Sequence, residues 1–475
     1  MPSTQDIVQK LWNLCHTLRD DGITYLQYVT ELTYLLFIKM AKETGIEKDL
    51  PKGYRWDDLC AKEGVEQLTF YKELLLHLGS QQKSVRVQAI FNNASTTFRQ
   101  PRYLASVVQA IDALDWFSAK TEGLGNLYEG LLEKNAEETK SGAGQYFTPR
   151  PLIESMIAMV KPQPGEIVQD PAAGTGGFLI TADRYVKDRS DGLFKLPTQV
   201  QLFQRQKAFQ GVELVADVQR LALMNAMLHD IESDIQLGDA LGPLGASLPK
   251  ANVIVANPPF GTKKGGGGAL RDDITYPTSN KQLVFLQHIY RGLVAGGRAA
   301  VVLPDNVLFE EGVGQKVRGD LMDKCNLHTI LRLPTGIFYA QGVKTNVLFF
   351  TRSETDKANT NAVWFFDMRT NMPSFGKRTP FTREHFAEFE KAYGDDPHGK
   401  SKRKDQGEEG RFRKFTRDEI AQRGDNLDIT WLKDDSATDH ADLPEPDVIA
   451  AEIVAQLQMA LDEMQALQEE MGDGT

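Results

Sequence analysis

Apolar residues recur at helical spacing through the first part of the chain. Ile7, Leu11, Leu14, Cys15 and Leu18 mark one stripe, and Ser3 with Asp6 ahead of it suits a capped helix start. Tyr28, Leu32, Leu35 and Leu36 repeat the rhythm within residues 25–42, and it returns over 74–78 and 104–114. Strand-like alternation is scarce before residue 160, so residues 1–140 are expected to form an α-helical domain. From about residue 165 the pattern changes. Short strand-like runs at 166–170, 209–214, 234–238, 253–256, 298–304, 328–333 and 347–351 are separated by helical patterns at 178–187, 216–229, 281–293 and 315–324. Such alternation predicts an α/β fold over 141–372, a Rossmann-like, doubly wound and mostly parallel sheet with helices on both faces. Ligands in sheets of this kind sit beyond the carboxyl ends of the strands, so the loops after Asp170, Leu214, Gly238 and Ala256 matter most.

Beyond residue 372 the order fades. Residues 400–417 hold eight Lys or Arg against three acids, interleaved with glycine, and read as an exposed basic loop. After Pro444 and Pro446 a last helix is expected. Its apolar positions Ala450, Ile453, Leu457, Ala460, Met464, Leu467 and Met471 alternate spacings of three and four, a narrow seam of coiled-coil type. Residues 373–475 are accordingly expected to form a C-terminal extension, a basic loop followed by an acidic helix for partner contact.

Composition changes this picture little; charge changes it more. At 475 residues, 41% hydrophobic and 25% charged, the chain has ordinary globular composition and room for two to three domains. The run Tyr34–Ile38 is far short of the roughly 20 apolar residues of a membrane span, and the first residues lack the layout of a signal peptide. Cys15, Cys60 and Cys325 are too few and too scattered for a disulfide framework or a zinc site, and no histidines pair at ligand spacing, so no metal is expected. A cytoplasmic enzyme or binding protein is the expectation. The net charge of −11 argues against a nucleic-acid partner until it is divided along the chain. Residues 434–475 carry twelve acids and no Lys or Arg, which leaves the other 433 residues at about +1. The acidity belongs to the tail, and the objection to nucleic acid falls.

The candidate chemistry begins at Asp170-Pro171-Ala172-Ala173-Gly174-Thr175-Gly176-Gly177-Phe178, between a strand and a helix. Glycines let a ligand approach the backbone, and a helix N-terminus offers N–H groups to an anion such as a carboxylate. The spacing G-x-G-G is not the dinucleotide fingerprint, and alone it also suits a tight turn. Glu213 closes the second strand with a carboxylate that can accept both hydrogen bonds of a ribose diol. Asp239, within Gly238-Asp239-Ala240 at the third strand end, can accept from an adenine amine. Either acid alone reads equally as a surface carboxylate. On consecutive strand ends the three describe a nucleoside joined to an amino acid, an inventory that S-adenosylmethionine fits.

The fourth strand ends in Asn257-Pro258-Pro259-Phe260. An amino group on a heteroaromatic ring is a poor nucleophile, because its lone pair is delocalised into the ring. Accepting both of its N–H bonds, on the Asn257 side-chain oxygen and the Pro258 carbonyl, favours a more tetrahedral nitrogen. The two prolines stiffen the backbone that presents the carbonyl, and Phe260 can stack on the base. A lone quartet of this kind reads as a proline-rich turn; its place after three cofactor-like loops favours function.

In this order the residues resemble the amino-group DNA methyltransferases of the adenine-N6 class. Gly144-Gln145-Tyr146-Phe147-Thr148-Pro149, ahead of the first strand, is similar to the family element that closes over the methionine part of the cofactor. Its position before the glycine loop, with the quartet after, is the gamma arrangement. With its helical N-terminal domain and C-terminal helix, the chain resembles the methyltransferase (modification) subunit of type I restriction–modification systems, closely over 128–352 and more loosely in the tail.

The resemblance implies S-adenosylmethionine as cofactor, contacted by Tyr146, Phe147 and Thr148. Gly174, Thr175, Gly176 and Gly177 would lie beside its methionine moiety, Glu213 would hold the ribose and Asp239 the adenine amine, with Asp170, Ala172, Phe178 and Ala240 also counted among the cofactor-binding residues. Asn257, Pro258, Pro259 and Phe260 would hold a target adenine flipped from duplex DNA, with Asn257 also beside the cofactor. Lys263, Lys264 and Arg271 are expected to meet DNA phosphates, although glycine-rich lysine loops are often only solvated. The implied partners are duplex DNA, a specificity subunit that selects the site and binds two copies of this chain, and a restriction or translocase subunit; no membrane is involved. No helicase or nuclease signature and no phosphate loop of the G-x-x-x-x-G-K type is read, so recognition and cleavage are expected of other subunits. Two other readings stand beside this one. A protein-glutamine N5-methyltransferase acts on a similarly deactivated planar nitrogen with a related quartet, but those enzymes are smaller and end it in Tyr. A non-catalytic scaffold retaining the fold is weakened by the intact Asp170, Glu213, Asp239 and Asn257.

Overall fold

The computed structural model describes residues 4–19, 24–44, 47, 50–80, 84–114, 116, 124–138, 148–261, 271–338, 344–373, 375, 379–433, 453–454 and 457. Its contacts divide the chain into two units, one of Met1–Lys140 with Val215–Glu232, the other of Ser141–Leu214 with Ser233–Thr475.

The first unit is helical, as the periodicity predicts. Helices Thr4–Arg19, Tyr25–Thr44, Gly64–Gly79, Val85–Phe91, Pro101–Asp112 and Leu124–Glu138 bury Leu11, Tyr28, Leu35, Tyr71, Leu104 and Leu131 among them. The helix Ala216–Leu228, which sequence order places between two strands, packs here instead. Val218, Leu221, Leu223 and Met224 bury apolar surface round most of its circumference, so it needs neighbours on several sides. Arg220 Nε donates to the Ile90 carbonyl at 2.7 Å and a terminal nitrogen to that of Asn92 at 2.9 Å, capping the end of Val85–Phe91.

The second unit is built on a nine-stranded sheet among the described residues. Its strands are β1 Val168–Asp170, β2 Phe209–Glu213, β3 Ile235–Leu237, β4 Ala251–Ala256, β5 Leu293–Pro304, β6 Cys325–Arg332, β7 Thr345–Arg352, β8 Ala362–Asp367 and β9 Phe412–Thr416. The order is β3-β2-β1-β4-β5-β7-β6-β8-β9. The first five run parallel, β7 runs antiparallel between β5 and β6, β8 is parallel to β6, and β9 closes the edge antiparallel. Central strands are apolar without alternation, as in Ala299–Leu303 and Val347–Phe350, because both faces are covered. The helix Lys281–Gly292 covers one of them with Leu283, Leu286, Ile289 and Tyr290 buried in the core, its start capped by Asn280 Oδ1 accepting from Gln282 and Leu283 N–H.

Strands β8 and β9 lie beyond the last one expected. The loop reading of 400–417 yields at its end to β9, whose Phe412 buries against the Trp364 ring at 4.8 Å between centroids. Arg403 and Arg411 donate to the carbonyls of Tyr393 and Asp367, so basic residues there fasten an edge rather than float in solvent. Of the C-terminal seam only Ile453 and Leu457 are described, with Val454 beside them; all three are helical and exposed. Among the described residues no helix is long and apolar enough to cross a membrane.

One buried arginine ties the start of the sheet together. Arg298 on β5 makes a two-pronged ion pair with Glu166 at 2.8 Å and donates to the carbonyls of Val160 and Lys161, at the end of the helix Arg150–Val160. Removing one partner of a buried pair costs about 3–5 kcal/mol. Arg298→Met should therefore lower the urea midpoint sharply, while Lys195→Met, which removes an exposed 3.9 Å pair with Asp191, should cost under about 1 kcal/mol. Equal small effects would show that the Arg298 cluster is not an anchor.

Candidate active site

Register brings the four loops into a row. Asp170 lies opposite Gly211 on β2, Glu213 opposite Leu237 on β3, and Gln169 opposite Ile254 on β4. The carboxyl ends of β3, β2, β1 and β4 thus stand side by side, about 4.8 Å apart per strand. An extended ligand of about 15 Å can reach from Asp239 to Asn257 across them.

Three backbone bonds shape the glycine loop. Ala172 N–H donates to Asp170 Oδ1 at 3.0 Å, Ala173 N–H to the Val212 carbonyl at 2.9 Å, and Gly174 N–H to Glu213 Oε2 at 2.9 Å. Gly174 and Gly176 take φ of 54° and 84°, the left-handed region that side chains resist. A Cβ on Gly211 would stand 3.0 Å from the Ala173 Cβ and 3.1 Å from Leu179, so β2 comes close enough for Glu213 to reach the loop. Glu213 is therefore buried and bonded to the loop itself. Phe178 is buried beneath the loop, in the first turn of the helix Gly177–Arg189, where it supports the turn.

Asp170 is the electrostatic oddity of the site. Its Oδ1 has the Ala172 N–H, but Oδ2 is buried without a partner among the described residues. Burial, opposed by the Ala172 bond and reinforced by the charge of Glu213, pushes the carboxyl up to about 8. A buried acid in that state suits a cation brought by a ligand. Asp239 accepts from Leu241 N–H at 2.8 Å, which fixes the turn, and Ala240 is buried behind it.

At the end of β4, Asn257 Nδ2 donates to Thr148 Oγ1 at 3.0 Å. Asn257 Oδ1 is buried and has no partner among the described residues, an acceptor left open at a strand end. The Pro259 carbonyl accepts from Gln282 Nε2 at 3.3 Å, and the Gly261 carbonyl from Lys281 N–H at 3.4 Å, so the head of the next helix grips the quartet. Pro258 is buried; Pro259 and Phe260 are half-buried.

Arg271 does not take the role expected of it. Its guanidinium is turned inward, paired with both Asp273 oxygens at 2.8 and 2.6 Å and bonded to the Ala240 carbonyl and His288 Nδ1. With most of its donors so occupied it steadies the Asp239 turn rather than standing free for a phosphate. Tyr146, Phe147, Lys263 and Lys264 lie outside the described residues.

Two features were missed in the sequence. Gln282 grips the quartet, and its signal was the capping Asn280 just before a helix that begins beside the quartet. Leu214 and Leu237 are exposed apolar side chains at the ends of β2 and β3, flanking the acids where the flat face of an adenine would need a wall. The sequence does hold one spacing of the G-x-x-x-x-G-K type, contrary to the reading above, and it proves empty. Gly394-Asp395-Asp396-Pro397-His398-Gly399-Lys400-Ser401 has the spacing of a phosphate loop, but it follows the helix Ala387–Tyr393, leads into no helix, and bends round its own Asp396, which accepts from His398 and Lys400 N–H. No group of three or more potential metal ligands occurs among the described residues.

Comparison with known proteins gives the family. Residues 119–441 match the family model for N-6 DNA methylase. The chain is 54% identical to the type I restriction enzyme StySPI methylase subunit of Salmonella potsdam, and 54% identical to the EcoKI methylase subunit of Escherichia coli K12, in each case over 99% of this chain and 96% of the relative. The crystal structure of the EcoKI M protein superposes with a TM-score of 0.59 at 51% identity, over 98% of this chain and 96% of that one. Fold and family imply S-adenosylmethionine as methyl donor. The chain belongs to the N-6 DNA methylase family and is a methylase subunit of the type I restriction–modification kind, an adenine-specific DNA methyltransferase.

Proposed function

We propose that Asn257, with the Pro258 carbonyl, receives the amino group of an adenine rotated out of duplex DNA at a site chosen by a separate specificity subunit. The observation that carries this is the Asn257 oxygen, buried and without a partner among the described residues while the amide nitrogen is held by Thr148. Leaving a buried acceptor unpaired costs about 1–3 kcal/mol, a cost that a substrate N–H would remove. S-adenosylmethionine, when bound, supplies a methyl group activated by its sulfonium charge. The residues that would hold it are the 172–178 loop and Asp170 on the methionine side, Glu213 at the ribose, and Asp239 with Leu214 and Leu237 around the adenine. Asp170 fits such a ligand, because a buried carboxyl whose oxygen has no partner among the described residues gains most from a cation.

The cofactor would pass its methyl to the target nitrogen and leave as the neutral thioether; Asn257 and the Pro258 carbonyl would hold that nitrogen while it carries a positive charge, until it loses a proton. Asn257 is a neutral amide and cannot take that proton, which leaves to water. Phe260 stacks on the base and keeps its ring in register with the acceptors. For partners, the exposed apolar side chains of Ile453 and Leu457 support a helical seam that meets the specificity subunit; the resemblance suggests two copies of this chain to each.

Labelled methyl transfer to duplex DNA, by this chain with a co-expressed specificity subunit, tests the reading. Adenine N6 should be labelled only with the partner present, and Asn257→Ala should lose about 10²-fold or more in rate while still binding the cofactor. Label in a protein glutamine would move the assignment to the other class.

The Asp170 carboxyl gives a pH test. Folding raises its pKa from about 3.9 to about 8, so the ligand-free protein binds a proton more tightly than the unfolded chain does. The stability this contributes is present below about pH 4 and is lost as pH rises through about 8. Asp170→Asn should thus be more stable than the parent at pH 8, by at least ~2 kcal/mol, with the gain vanishing towards pH 4. It should also bind S-adenosylmethionine at least ~10-fold more weakly. A gain in stability independent of pH would refute the buried-acid account.

A further inference from the structure

The resemblance assigns Thr148 to the cofactor, yet among the described residues its side chain bonds to the asparagine at the far strand end. Thr148 Oγ1 accepts from Asn257 Nδ2 at 3.0 Å, across 109 residues of sequence. From this we infer that Thr148 is a positioning residue for the transfer step, acting through Asn257; the inference rests on Asn257 being the acceptor of the target amine.

A carboxamide offers an acceptor at one end and two donors at the other, in nearly the same shape. Only the oxygen end can receive an adenine N–H; the nitrogen end would meet it donor to donor. With the substrate amine on Oδ1, Nδ2 needs an acceptor of its own in a buried place, and a hydroxyl serves, since it accepts as readily as it donates. Thr148 thereby keeps the plane of the amide aimed and its oxygen open.

Its own position is well determined. Thr148 stands one residue ahead of Pro149, the N-cap of the helix Arg150–Val160, whose first turn forms as Leu152 and Ile153 N–H donate to the Pro149 carbonyl at 3.0 and 3.1 Å. Ile153 of that helix packs against Gly177, where an added Cβ would lie 3.1 Å from its Cδ1, and Arg298 secures the other end. The quartet is held independently from its other side by Gln282 on the Pro259 carbonyl. Two separately anchored elements thus fix the acceptors, one through the Asn257 side chain and one through the backbone. A displacement of about 1 Å at such a site costs as much as 10²-fold in rate.

Thr148→Val keeps shape and removes the acceptor; Thr148→Ser keeps the hydroxyl. Steady-state methylation by the complex with the specificity subunit should show kcat down about 10- to 100-fold in Thr148→Val, KM for S-adenosylmethionine within about twofold, and Thr148→Ser within about threefold of the parent. Equilibrium binding of the cofactor to each variant shows that the fold is intact. An unchanged kcat in Thr148→Val overturns the inference, as does a rise in KM for the cofactor comparable with any fall in kcat, which would make Thr148 a cofactor contact. Asn257→Ala, measured beside them, separates the two levels. If it retains transfer, the acceptor reading itself fails; if it is inactive while Thr148→Val is unaffected, only the role of Thr148 fails.

Discussion

The parallel pairing of β1 with β2 on one side and β4 on the other is the constraint on which the site depends. Each strand end alone carries one weak group: a glycine turn, an acid, a second acid, an asparagine. Pairing in register sets their carboxyl ends in one row, so that loops separated by nearly ninety residues of chain become neighbours. Glycine at 211 lets β2 approach the loop, and the Gly174 to Glu213 bond then makes acid and loop a single object. The fold supplies alignment; the chemistry is local.

Within that row the charges are arranged at the expense of stability. Asp170 has a buried oxygen with no partner among the described residues beside another carboxylate, an arrangement that a packed apolar residue would not carry. The Asn257 oxygen repeats the pattern with a neutral group. Both unsatisfied atoms lie at strand ends on the ligand side. Arg298, at the opposite end of the sheet, is saturated with acceptors and adds rigidity instead. Strain and satisfaction are thus divided between the two ends of the same strands.

Much of this was legible in the sequence, for identifiable reasons. The periodicity of the N-terminal region and the β-α alternation after residue 165 are strong patterns, and the four strand ends were located within a residue or two. Asp170, Glu213, Asp239 and Asn257 lie at or just beyond the carboxyl ends of four adjacent strands. What escaped depended on packing that no local pattern records. The helix Ala216–Leu228 is apolar round most of its surface, and sequence order alone could not say which unit it joins. The aromatic run of β8 and the alternating β9 follow a stretch of turns and read as coil. Arg271 looked like a free cation because Asp273 and His288 become its partners only on folding. The bond from Thr148 to Asn257 joins two motifs that had been assigned to different ligands.

The central claim is that a neutral amide, held by Thr148, takes the amino group of an extruded adenine. A structure of the chain bound to its specificity subunit, target duplex and a non-reactive analogue of the cofactor tests it most directly, by locating the target N6 atom. The account predicts N6 within about 2.7–3.2 Å of Asn257 Oδ1, with Nδ2 still donating to Thr148. A target adenine left stacked in the duplex, or an extruded one whose amine is held elsewhere while Asn257 faces away, would contradict it.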